Sequence, residues 1–94
     1  MLYVAYCLDK PGHAAVRAEN RPAHLEFLKK HSGQIVLAGP LLSDDGQQMA
    51  GSLFILEFDD RAAVDGFLKS DPYAKAGLFA SVDVRPWRKV IERG

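Results

Sequence analysis

Two stretches, Leu2–Leu8 and Gly51–Phe58, are apolar at odd and even positions alike, and this pattern constrains the fold more than any other feature of the chain. Successive side chains of a strand point to opposite faces, so Tyr3, Ala5 and Cys7 share one face while Leu2, Val4, Tyr6 and Leu8 share the other. Phe54, Leu56 and Phe58 alternate with Leu53 and Ile55 in the same way. An antiparallel sheet with one face in water carries polar residues there. These strands do not. Ninety-four residues make one domain and leave no second domain to cover the spare face. The expectation is a single domain over residues 1–94 whose second sheet face is buried by another copy, sheet against sheet in a two-fold homodimer.

The remaining elements follow from punctuation. The first strand ends at the turn Asp9-Lys10-Pro11-Gly12. From His13 to His31 the residues favour a helix, interrupted by Pro22, which has no N–H to give. One long helix that bends at Pro22 is preferred to two pieces, and Gly33 supplies its stop. Gln34–Leu42 reads as a second strand with Pro40 near its end or on an edge, and Ser43–Gln48 as a polar hairpin loop. After the strand Gly51–Phe58, Asp59-Asp60 caps a helix over Arg61–Lys69, with Val64, Phe67 and Leu68 facing inward. Asp71-Pro72 begins a further helical turn, and Leu78–Trp87 is the last strand. The order βαββαβ is that of an α+β, ferredoxin-like fold: a four-stranded antiparallel sheet with two helices on one face.

Charge and cysteine content narrow the function. Twelve basic residues against twelve acidic give no net charge, and the longest basic run is the pair Arg88-Lys89, so neither nucleic acid nor an anionic membrane is an expected partner. RNA-recognition modules share the topology but need sheet aromatics in a basic segment, which Leu53–Phe58 lacks. Acylphosphatases share it too, yet Leu8–His13 holds no glycine-rich phosphate loop. A single cysteine, Cys7, excludes an intrachain disulfide and points to a reducing cytoplasm. Its apolar neighbours argue against a reactive thiol. The chain opens on a strand without the pattern of a secretion signal, and no apolar run reaches membrane-spanning length.

Arg17, Arg21, His24, Leu28 and His31 recur at helical spacing and would share one stripe. Arginines beside a histidine suit an anionic ligand and proton transfer. A solvated helix face is the plainer reading, and it is preferred for Arg17. For Arg21 the two readings balance, because Pro22 leaves its direction open. His31 reads as a charge complement to the helix end, and His13 carries no site signal. Taken singly, His24 is an ordinary half-buried histidine, and Asp71, before Pro72, is a good helix N-cap.

Tyr3-Val4, Arg21-Pro22-Ala23-His24-Leu25, Ala38-Gly39-Pro40, Gly51-Ser52, Asp71-Pro72-Tyr73 with Ala76-Gly77, and Pro86-Trp87 together resemble the YCII-related (YciI-like) family, in order and over nearly the whole chain. The resemblance implies a ferredoxin-like fold that dimerises into an α/β barrel. It also implies a histidine–aspartate pair acting in proton transfer; at least one member is a dehydrochlorinase of chlorinated aromatics. By position the pair is His24 and Asp71, with Arg21, Gly39, Pro40 and Tyr73 at the substrate. The polar loop, here Ser43–Ala50, is shorter than in many relatives, which bears on the pocket's lid.

The resulting expectation is a cofactor-independent lyase or isomerase that uses His24 and Asp71 on a small organic acid or aromatic compound. Its alternative is a non-catalytic small-molecule binding or partner-interaction module, in which Asp71 only caps a turn. No Rossmann or P-loop glycine pattern occurs, so no nucleotide cofactor is expected. Nor do spaced His or Cys pairs accompany His24 and Asp71, so no dedicated metal site is expected either.

Overall fold

A computed structural model describes residues 1–93. The elements are β1 (Leu2–Asp9), α1 (Ala14–Lys30), β2 (Ile35–Leu42), β3 (Met49–Glu57), α2 (Arg61–Ser70), α3 (Pro72–Lys75) and β4 (Phe79–Trp87). The four strands form one antiparallel sheet in the order β2-β3-β1-β4. This is the ferredoxin-like arrangement that the element order predicts, with β1 and β3 at the centre.

Register fixes which residues face the helices. Ala5 lies opposite Phe54 and Val84, and Cys7 opposite Ser52, so odd positions of β1 and even positions of β3 share the covered face. Tyr3, Ala5, Cys7, Phe54, Leu56 and Val84 form the sheet side of the core, with Phe27, Val64, Phe67 and Leu68 as the helix side. Phe67 is the hub. Its ring meets those of Phe27, Phe54 and Phe58 at centroid distances of 4.9, 5.8 and 5.5 Å, within the range where aromatic pairs attract. At Gly51 the β1 backbone comes so close that a Cβ would strike the Cys7 carbonyl oxygen; only glycine fits there.

Helix α1 passes through Pro22 without a break. Pro22 is exposed, so the Ala18 carbonyl that loses its helical donor is on the water side and the cost of a buried orphan is avoided. The helix does not stop on a left-handed Gly33, which has no positive φ. Instead His31 closes it, its N–H reaching the Phe27 and Leu28 carbonyls, while its ring packs on Phe27 at 4.6 Å and edge-on to Phe67 at 5.3 Å. Packing has replaced the glycine cap. Asp60 caps α2 as the sequence predicts, accepting from the Ala63 N–H at 2.9 Å.

Among the described residues no helix covers the other sheet face. Leu2, Val4, Tyr6 and Leu8 of β1, Leu53 and Ile55 of β3 and Leu37 of β2 occupy it by register, next to Asp83 and Arg85 on β4. Tyr6 is 44% exposed and Leu37 67%. The apolar band therefore runs across β2, β3 and β1 and reaches Trp87 at the end of β4, whose Asp83 and Arg85 are its polar margin. Among the described residues no helix is long and apolar enough to cross a membrane.

Candidate functional site

Of the 17 residues of α1, only Arg17, His24 and Phe27 are buried. A helix that turns an arginine and a histidine inward needs partners for both, because an unpaired charge or ring N–H in the interior is costly. The fold supplies them from separate elements.

His24 meets Asp71. Its Nδ1 lies 2.8 Å from Asp71 Oδ1, and the same oxygen accepts the Tyr73 backbone N–H at 3.0 Å. Asp71 is thus the N-cap of α3 and the partner of the imidazole at once; the two readings of the sequence are not alternatives. Its side chain is fully buried, and Oδ2 is the one buried side-chain polar atom without a protein partner among the described residues. The imidazole stacks on the Tyr73 ring, centroids 4.0 Å apart and planes inclined by 17°, and meets Phe54 edge-on at 6.4 Å. With Nδ1 engaged, the tautomer that donates to Asp71 leaves Nε2 as a free acceptor. Among the described residues Nε2 has no hydrogen-bond partner, and the His24 side chain keeps 10% of its surface exposed.

Arg17 corrects the sequence reading. Far from being solvated, it is 5% exposed. Its Nε–H donates to Asp9 Oδ2 at 2.7 Å and its Nη2 to Asp9 Oδ1 at 2.9 Å, a fork on one carboxylate, and Nη2 also reaches Ser52 Oγ at 3.0 Å. The guanidinium sits 4.5 Å from the Tyr73 ring centroid, a cation–π distance. Residues 17 and 24 are two helical turns apart, about 10.5 Å along the axis, and the Tyr73 ring touches both. Burial alone would lower the Arg17 affinity for its proton, but the Asp9 hydrogen bond and charge reverse this and hold it above the ordinary value. Burial likewise pushes the Tyr73 hydroxyl up, against the opposing pull of Arg17 and Arg21.

These groups surround a cavity of about 120 Å³ between α1 and the β2–β3 half of the sheet. Arg17, Arg21, His24, Gly39, Pro40, Ser52 and Tyr73 reach it, with Leu25, Leu28, Phe54 and Met49 as its apolar walls. Of the residues the sequence singled out, His24, Arg21, Gly39, Pro40 and Tyr73 all line the cavity. Asp71 stands behind His24. Arg21 is exposed and, unlike Arg17, faces no carboxylate within ion-pair distance among the described residues. Arg17, Ser52 and Asp9 were missed. A signal existed for Arg17, on the same helical stripe as Arg21 and His24, and for Ser52, at an inward position of β3. The loop Ser43–Gln48 is closed on itself: Ser43 Oγ donates to Asp45 Oδ1 at 2.7 Å, and the Ser43 N–H to the Gln48 carbonyl at 2.8 Å. Among the described residues no three histidine, cysteine or carboxylate side chains cluster as a metal site would require.

Cys7 lies under this network and is fully buried. Burial, then the charges of Asp71 and Asp9, push its thiol up to about 12 from an ordinary 9.0. Between these values the unfolded chain releases a proton that the folded chain keeps, so stability falls as pH rises, by about 1.4 kcal/mol per pH unit. Thermal unfolding followed from about pH 8 to about pH 11 is expected to show this decline, and Cys7→Ala to flatten it. An identical slope in the variant would exclude the thiol as its source.

Comparison with known proteins agrees with the fold. The model of the YCII-related domain matches residues 1–88. A protein named YciI from Escherichia coli O6:H1 is 36% identical over 98 aligned positions, spanning 97% of this chain and 100% of the relative. Among solved structures, 5-chloro-2-hydroxyhydroquinone dehydrochlorinase (TftG) from Burkholderia phenoliruptrix AC1100, in complex with 2,5-dihydroxybenzoquinone, superposes with a TM-score of 0.86 at 38% identity, over 94% of each chain. An antibiotic biosynthesis monooxygenase shares the fold alone, with a TM-score of 0.56 at 19% identity, over 97% of this chain and 100% of that one.

Proposed function

This chain belongs to the YCII-related family, and on that premise we propose that it is a cofactor-independent lyase- or isomerase-type enzyme acting on a small organic acid or aromatic compound. The observation that carries the reading is the pairing of His24 Nδ1 with Asp71, which leaves Nε2 uncommitted in a side chain that lines the cavity. In this reading Nε2 removes a proton from carbon and later returns it, and Asp71 holds the ring and stabilises the imidazolium. Arg21, the exposed cation of the cavity, attracts an anionic group of the substrate. Gly39 and Pro40 shape the wall opposite α1, and Tyr73 stacks on the base and fixes its plane. TftG, a dehydrochlorinase of similar sequence and fold, supports a substrate of one-ring size. So does the size of the cavity, about 120 Å³.

The test is turnover. Chloride release from 5-chloro-2-hydroxyhydroquinone, and deuterium uptake from solvent into small keto acids, are measured for the protein and for His24→Ala and Asp71→Asn. Unaltered rates in both variants would remove the pair from the mechanism. The rival reading, a binding module, draws on the second duty of Asp71 Oδ1 as a cap; binding without turnover of any compound would favour it.

A homodimer belongs to the same proposal. The band of Tyr6, Leu8, Leu37 and Leu53 is apolar surface of the kind that marks an interface, and a second copy turned by two-fold symmetry would cover it. Size-exclusion chromatography with light scattering is expected to give twice the 10.4 kDa chain mass. Tyr6→Glu with Leu37→Glu is expected to give the monomer. A wild-type monomer at micromolar concentration would end this part of the proposal.

A further inference from the structure

Ser52 is 3% exposed, lines the cavity, and is on the covered face of β3 one inward position from Phe54, against whose ring His24 rests. Its hydroxyl oxygen accepts from Arg17 Nη2 at 3.0 Å. A guanidinium can only donate, so the direction of this hydrogen bond is fixed and the serine proton points elsewhere. No protein acceptor takes that proton among the described residues. A hydroxyl that accepts from a cation is polarised into a stronger donor. The cation is itself immobilised, forked on Asp9 at 2.7 and 2.9 Å. A buried serine held this way is preorganised to donate to one further oxygen, and the cavity is the open side.

We propose that the Ser52 hydroxyl, oriented by Arg17 and Asp9, is the donor to an acceptor oxygen of the substrate, a carbonyl that becomes an enolate or phenolate oxygen as His24 takes the proton. The inference rests on the reading of His24 as the base, and it names the substrate class: small molecules whose acidic C–H lies next to a carbonyl. In the step, the C–H bond breaks and its proton passes to His24 Nε2. The electron pair left on carbon forms the C=C bond, and the carbonyl π pair becomes an oxygen lone pair, which meets the Ser52 O–H. Where a further C=C bond is conjugated with this enolate, returning the proton to its far carbon shifts the double bond and completes an isomerisation with no external oxidant or reductant. Donors fixed in advance where charge develops contribute most to such steps. Ser52 is then a catalytic residue, while Arg17 and Asp9 are positioning residues.

The test uses three probes, 2,5-dihydroxybenzoquinone, pyruvate and salicylate, titrated calorimetrically into the protein and into Ser52→Ala, Ser52→Thr and His24→Ala. At least one probe is expected to bind. Ser52→Ala is expected to weaken it by about ten- to a hundredfold, the range for a hydrogen bond to a charged acceptor. Ser52→Thr, which keeps the hydroxyl, restores it to within about threefold of the unaltered protein. Equal binding by Ser52→Ala, failure of Ser52→Thr to restore it, or no binding of any probe overturns the proposal. His24→Ala separates the two readings: retained binding with lost turnover speaks for His24 as the base, whereas Ser52 is judged by affinity alone.

Discussion

Replacing Asp9 with alanine is expected to lower the stability of the fold by about 3–5 kcal/mol, the range for leaving one member of a buried ion pair behind. The Arg17 side chain is 6% exposed and that of Asp9 10%, so little water is at hand to replace the carboxylate. Two of the guanidinium N–H groups would lose their acceptor, with only Ser52 Oγ remaining. For a domain of this size each kcal/mol moves the melting temperature by about 4–8 °C, so a fall of roughly 12–40 °C is expected. The charge, and not the shape of the site, is the cause. Arg17→Met added to Asp9→Ala removes the stranded cation and is expected to recover part of the loss. A melting temperature for Asp9→Ala within about 5 °C of the parent would show that the guanidinium finds water after all.

The second large effect is on rate. His24→Ala is expected to reduce kcat/KM for whichever compound is turned over by about 10²- to 10⁴-fold, the contribution of a positioned acid–base group. Asp71→Asn separates charge from hydrogen bonding. An amide oxygen can still accept from the Tyr73 N–H and from the imidazole, so α3 keeps its cap, but no carboxylate faces the imidazolium. Its kcat is expected to fall with KM unchanged, since the lost interaction exists only once the proton has moved. Stopped-flow or steady-state kinetics on both variants, with circular dichroism as the check on folding, decide it. A rise in KM alone would assign Asp71 to binding.

Much of this was legible in the chain before any coordinates. The alternation in β1 and β3 and the turn residues between elements fix the topology, because each strand has only one parity that suits the helices. The stripe Arg17, Arg21, His24, Leu28 does line one cavity. What could not be read was the fate of Arg17. An arginine on a helix is solvated unless a carboxylate waits in the interior, and that carboxylate, Asp9, lies at the end of a strand eight residues earlier. In the sequence it looks like the first residue of a turn. Gly33 misled for the opposite reason: the helix ends on aromatic contacts of His31 with Phe27 and Phe67, and no local signal announces a tertiary stop. Ser52 entered the sequence reading only as part of the Gly51-Ser52 pair in the family resemblance; its place at the site comes from the cation 3.0 Å away.

A single oxygen of Asp71 serves both the imidazole and the first turn of α3. Losing the aspartate would therefore harm the scaffold even in a descendant that had abandoned all turnover, whereas the histidine caps no helix: losing it would remove the Asp71 hydrogen bond and the contacts with Tyr73 and Phe54 but leave the first turn of α3 with its cap. Among relatives, an aspartate at this position is consequently a poor diagnostic of activity. The histidine is the letter to inspect when sorting working members from retired ones.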